Sequence, residues 1–94
     1  MLLEFYGETC PHCLSMKPLV EKTEKDLGVE IKKFEVWNNE DNAAEMAKYD
    51  KGLCGGVPFY YNTDSKQFIC GATDEASFVS WAKGEATAGS AAVE

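Results

Sequence analysis

The first six residues, Met1 to Tyr6 (MLLEFY), are apolar apart from Glu4, the pattern of a buried strand, and Gly7 to Thr9 form the loop behind it. From Pro11 onward Met16, Leu19, Val20, Thr23 and Leu27 recur at helical spacing until Gly28, a residue suited to closing a helix. Glu30 to Trp37 (EIKKFEVW) suits a second strand, which must run parallel to the first because a whole helix separates them. Asn38 or Asn39 can cap a second helix in which Ala43, Met46, Ala47 and Asp50 keep the helical period as far as Gly52. Val57 to Asn62 is rich in aromatics, and the polar turn Thr63 to Lys66 leads into Gln67 to Cys70, which predicts an antiparallel hairpin. After Gly71, Thr73 or Asp74 can cap a last helix whose apolar face is Phe78, Val79 and Ala82, with Trp81 beside it. The order β, α, β, α, β, β, α predicts an α/β fold with a four-stranded mixed sheet and helices on both faces. Residues 1–84 read as one domain, and 85–94, dominated by Ala, Gly, Ser and Thr, as a loose tail.

Composition narrows the functional classes. A net charge of -7 repels phosphate backbones and anionic lipid, and the lysines at 17, 22, 25, 32 and 33 are mixed with acids, so nucleic acid is not an expected partner. No apolar run approaches the roughly 18 to 20 residues a membrane span needs. The apolar start is also too short for a signal h-region, so a cytoplasmic location is expected.

The four cysteines carry the chemistry. Cys10 and Cys13 form one CxxC, whereas Cys54 and Cys70 stand apart, so the two close pairs typical of a structural zinc site are missing and no metal is expected. The CxxC falls where a strand ends and a helix begins. Cys10, at the N-cap or first helical position, faces unpaired backbone N–H groups and the positive end of the helix dipole, which favour a thiolate. Pro11 suits the first turn because its missing N–H has no partner there. Cys13, one turn in, is expected to be more buried and to resolve the mixed disulfide that Cys10 forms. His12, between the two, can stabilise the thiolate as an imidazolium or N–H donor. Cys54 and Cys70 admit three readings: small buried residues, a further disulfide, or regulatory thiols.

A CxxC next to a βαβ unit resembles the thioredoxin superfamily. Pro18, five residues after Cys13, lies where thioredoxins have the proline of the active-site helix, and Gly56-Val57-Pro58 is similar to the loop that carries their cis-proline. The resemblance implies that this loop lies against the dithiol and that Val57 and Pro58 meet the substrate chain. Glu4, in LEFYGETC, resembles the buried acid beneath the thioredoxin site and would serve Cys13 as a proton relay, with Lys33 on the neighbouring strand as its partner. The start directly at the CxxC strand is similar to glutaredoxins, and Gly71, Thr73 and Asp74 resemble the glutaredoxin segment that holds glutathione.

The reading is a monomeric thiol–disulfide oxidoreductase that reduces protein disulfides through Cys10 and Cys13. It needs no bound cofactor and draws electrons from an upstream reductase or glutathione. Two alternatives belong to other classes: a glutathione-dependent glutaredoxin or iron–sulfur-binding module, and a redox-inactive peptide-docking domain using the GVP groove.

Overall fold

The computed structural model describes residues 1–52 and 54–84; the tail expected over 85–94 lies outside them. Seven elements follow one another: β1 (Leu2–Tyr6), α1 (Pro11–Leu27), β2 (Ile31–Glu35), α2 (Glu40–Asp50), β3 (Phe59–Asn62), β4 (Phe68–Cys70) and α3 (Glu75–Ala82). The sheet order is β2-β1-β3-β4. β1 pairs parallel with β2 and antiparallel with β3, and β3 pairs antiparallel with β4. The expected α/β architecture and element order are those observed.

Alternation along β1 divides the core. Leu2 packs with Met16 and Val20 of α1 and with Phe78 and Trp81 of α3, while Leu3 and Phe5 face the other way, onto Met46 of α2 and Phe59. Glu4 therefore points to the same side as Leu2, under α1, and is only 5% exposed.

The ends of the elements have local causes. Gly28 takes a left-handed conformation (φ 66°) and its N–H returns to the Glu24 carbonyl, closing α1. Asn39 and Asp74 cap α2 and α3, accepting from Asn42 N and Ser77 N. β2 stops at Glu35, two residues before the expected end at Trp37, because the Glu35 carboxylate accepts the backbone N–H groups of Trp37 (3.2 Å) and Asn38 (2.8 Å) and turns the chain away. β3 begins at Phe59 rather than Val57: the Val57–Pro58 bond is cis, and Pro58 has no N–H to give a ladder. The last helix buries Phe78 and Trp81 completely, with Val79 and Ala82 half-buried, so Trp81 belongs to the centre of the apolar face and not to its side.

Asn62 joins the hairpin to α3. Its side chain, almost fully buried, donates to the Trp81 carbonyl at 3.1 Å and accepts from Asp64 N and Ser65 N. Trp81 Nε1 also donates to the Gln67 carbonyl, at 3.2 Å.

Candidate active site

The chain leaving β1 turns at Gly7, whose carbonyl accepts the Cys10 N–H at 3.1 Å. A side chain at Gly7 would overlap the Trp37 indole, which lies over this turn, so the absence of a Cβ lets the two segments approach. The Glu35 carboxylate binds the same turn through the Glu8 N–H at 2.9 Å. The turn before the dithiol and the chain leaving β2 are thereby locked together.

Cys10 is the N-cap of α1. Its extended backbone (φ -68°, ψ 118°) aims the sulfur at the open helix end, where it accepts the Cys13 N–H at 3.2 Å. Pro11 occupies the first turn, as expected. Both thiols are free and both are buried, Cys10 at 3% and Cys13 at 5% exposure. The expectation that Cys13 would be the more buried is therefore corrected. Cys10 is roofed by the loop before β3, its sulfur 3.9 Å from the Val57 carbonyl oxygen. His12 lies exposed between the thiols, and its carbonyl accepts from Ser15 Oγ at 2.8 Å.

Burial, followed by the side-chain hydrogen bond that the Cys13 thiol gives to Cys10, pushes the Cys13 thiol up to about 12, so Cys13 holds its proton at neutral pH. Beneath it, burial raises the Glu4 carboxyl to about 7 against the opposing pull of Lys33. Glu4 and Cys13 line one side of a cleft of about 280 Å³ whose rim carries Lys17 and Lys33. Tyr60 stands across the β1–β3 register from Glu4. Its hydroxyl is buried without a hydrogen bond of good geometry, and burial together with the Glu4 charge holds its ionisation far above the ordinary tyrosine range.

Lys33 is not bound to Glu4, although the register sets the two residues side by side. Its ammonium donates to Glu24 Oε2 at 2.9 Å and to the Ile31 carbonyl at 3.0 Å. The expected Glu4–Lys33 pair is thus replaced by a Glu24–Lys33 pair, and Lys33 acts on Glu4 only through its field.

The Gly56-Val57-Pro58 loop meets the dithiol as the resemblance implied. Gly71 joins the same end of the sheet, its N–H donating to the Pro58 carbonyl at 2.8 Å. Thr73 and Asp74 follow, and the Asp74 carboxylate accepts the Ser77 N–H at 2.9 Å as the N-cap of α3.

Sequence reasoning left one feature open and missed another. Cys54 and Cys70 form a disulfide (S–S 2.04 Å), which selects one of the three readings; Cys54 is half-buried and Cys70 exposed, so neither is a small core residue. Asp50, the last residue of α2, is buried and accepts the N–H groups of Cys54 and Gly55. An acid at a helix C-terminus opposes the dipole, and that mismatch was the available signal. Among the described residues no cluster of potential metal ligands is present, and no helix is long and apolar enough to cross a membrane.

Comparison with known proteins agrees with this geometry. The thioredoxin family model matches residues 1–83. A thioredoxin of Rickettsia bellii (strain RML369-C) is 26% identical over 81 residues, covering 86% of this chain and 76% of the relative. With a capped dithiol at a strand-to-helix junction, a cis-proline loop against it and a family match over nearly the whole described length, the chain belongs to the thioredoxin family of thiol–disulfide oxidoreductases.

Proposed function

We propose that this protein reduces disulfides in protein substrates by dithiol exchange, with Cys10 as nucleophile and Cys13 as resolving thiol. The observation that carries this reading is the asymmetry of the pair. The Cys10 sulfur accepts from the helix end and faces the Val57 carbonyl, whereas Cys13 lines the cleft with Glu4 and keeps its proton.

In the first step the Cys10 thiolate attacks one sulfur of the substrate disulfide and the other substrate sulfur leaves as a thiolate. Once the Cys10 sulfur is bound to substrate, the hydrogen bond and charge by which it raises Cys13 are gone. Cys13 then gives its proton through the cleft to the Glu4 carboxylate and attacks Cys10, releasing the second substrate thiolate and leaving a Cys10–Cys13 disulfide. Glu4, poised near neutrality, is matched to that transfer. His12 stands at the exposed rim between the two cysteines. Val57 presents its backbone to an extended substrate segment beside Pro58, with Gly56 leaving room for it.

The electrons come from an upstream reductase or glutathione. The test is reduction of a model protein disulfide by a dithiol donor. Cys10→Ser is expected to abolish turnover, and Cys13→Ser to accumulate a mixed disulfide at Cys10 visible by mass spectrometry. Retention of activity in Cys10→Ser would overturn the reading.

A further inference from the structure

In the loop against Cys10, Cys54 and Val57 touch the core and Pro58 is buried, but Gly55 and Gly56 between them are exposed. A Cβ built at Gly55 or Gly56 would meet no atom within 4 Å. On its α2 side lies an open cleft of about 280 Å³ lined by Trp37, Met46, Asp50, Gly55 and Val57. Gly55 has a positive φ of 74°, a conformation that local preference alone does not single out.

Discrete tethers hold the glycine stretch between those packed residues. The Asp50 carboxylate takes the Cys54 N–H on one oxygen and the Gly55 N–H on the other, the latter at 3.0 Å. The Cys54–Cys70 disulfide ties the start of the loop to the end of β4. The next residue, Gly71, bonds to the Pro58 carbonyl at the far end of the loop. A buried acid at a helix C-terminus is unfavourable both by burial and by dipole, and two charge-assisted bonds to one loop offset that.

We propose that Asp50 and the Cys54–Cys70 disulfide form one positioning clamp that holds residues 54–58 where Val57 can pair with a substrate chain, so that loss of either weakens capture of protein disulfides while exchange at Cys10 and Cys13 continues. This rests on the dithiol-exchange function proposed above. The clamp is also chemically releasable, because Cys70 is exposed. A small monothiol attacks the Cys70 sulfur, Cys54 leaves as a thiolate, and a second monothiol displaces Cys70 from the mixed disulfide. The pair gains two electrons and two protons, and two monothiols leave as one disulfide.

The test compares the unsubstituted protein, Asp50→Asn and Cys54→Ala/Cys70→Ala on a protein disulfide and on dithiobis(nitrobenzoate), which is too small to need the loop. Each variant is expected to raise KM for the protein substrate about tenfold, the worth of one charge-assisted hydrogen bond, with kcat and the small-disulfide rate unchanged. Should one variant fail to fold by circular dichroism, the other decides, together with the unsubstituted chain whose Cys54–Cys70 pair has been reduced and verified by mass. An unchanged KM, or equal losses on both substrates, overturns the clamp. Failure of the unsubstituted protein to exchange with dithiobis(nitrobenzoate) instead overturns the dithiol reading, and the clamp with it.

Discussion

Lys33 stands beside Glu4 in the β1–β2 register, yet its ammonium is bonded to Glu24 Oε2 at 2.9 Å. The carboxyl below Cys13 is thus left in a buried setting with a cation nearby but not in contact. Its affinity for a proton follows from that arrangement.

Glu4 should make stability fall with rising pH. Its folded value, about 7, lies above the unfolded value near 4.5, so the folded state holds the proton more tightly. The resulting stabilisation is complete below about pH 4.5 and is lost as pH rises through about 7. The shift corresponds to about 3 kcal/mol. Denaturant unfolding at pH 5 and pH 8 should show this loss in the unsubstituted protein and little of it in Glu4→Gln, which is expected to be the more stable of the two at pH 8.

Glu24→Gln should move the same titration toward acid. The substitution removes a negative charge that raises Glu4 and frees Lys33 to approach it. A titration of the Glu4 carboxyl followed by carbon NMR is expected to give a midpoint clearly below that of the unsubstituted chain; an unchanged or higher midpoint would show that the Glu24–Lys33 pair does not govern Glu4.

Gly7→Ala should expel the Trp37 indole from the turn before Cys10. The added methyl overlaps the six-membered ring, and Trp37, already 53% exposed, has solvent to move into. A red-shifted tryptophan emission and a loss of about 1 to 2 kcal/mol are expected. Unchanged emission would mean that the turn yields instead of the ring.

Asn62→Ala should cost about 2 kcal/mol or more. It takes the buried amide from the Trp81 carbonyl, which keeps the Gly84 N–H, and leaves the Asp64 and Ser65 N–H groups without their acceptor. The check is denaturant unfolding combined with hydrogen exchange of the α3 amides, which should lose protection ahead of the sheet.

Much of this was legible in the chain because it depends on neighbours in sequence. Pro11 and Gly28 bracket α1, and the Asn39 and Asp74 caps lie within three residues of the N–H groups they bind. Glu4 was readable as an oddity in an apolar strand, and the register of β1 makes it an interior group. What escaped depends on distant partners. The Cys54–Cys70 bond closes across 16 positions, and only the β3–β4 hairpin brings its ends together. Asp50 looks like one more acid on a helix until the loop bends back to offer two N–H groups. Lys33 was assigned to the acid beside it on the sheet because the Glu24 side chain, reaching from α1, is invisible to strand pattern alone.

The sheet order has a further consequence, for solubility. With β1 and β3 inside, the outer strands of the sheet among the described residues are β2 and β4. β2 carries the adjacent Lys32 and Lys33, and charge on an outer strand resists the addition of a foreign one. β4 is three residues long and ends in a cysteine already crosslinked to the loop before β3. Each border of the sheet is therefore guarded against templated growth, one by like-charge repulsion and the other by brevity and a covalent stop.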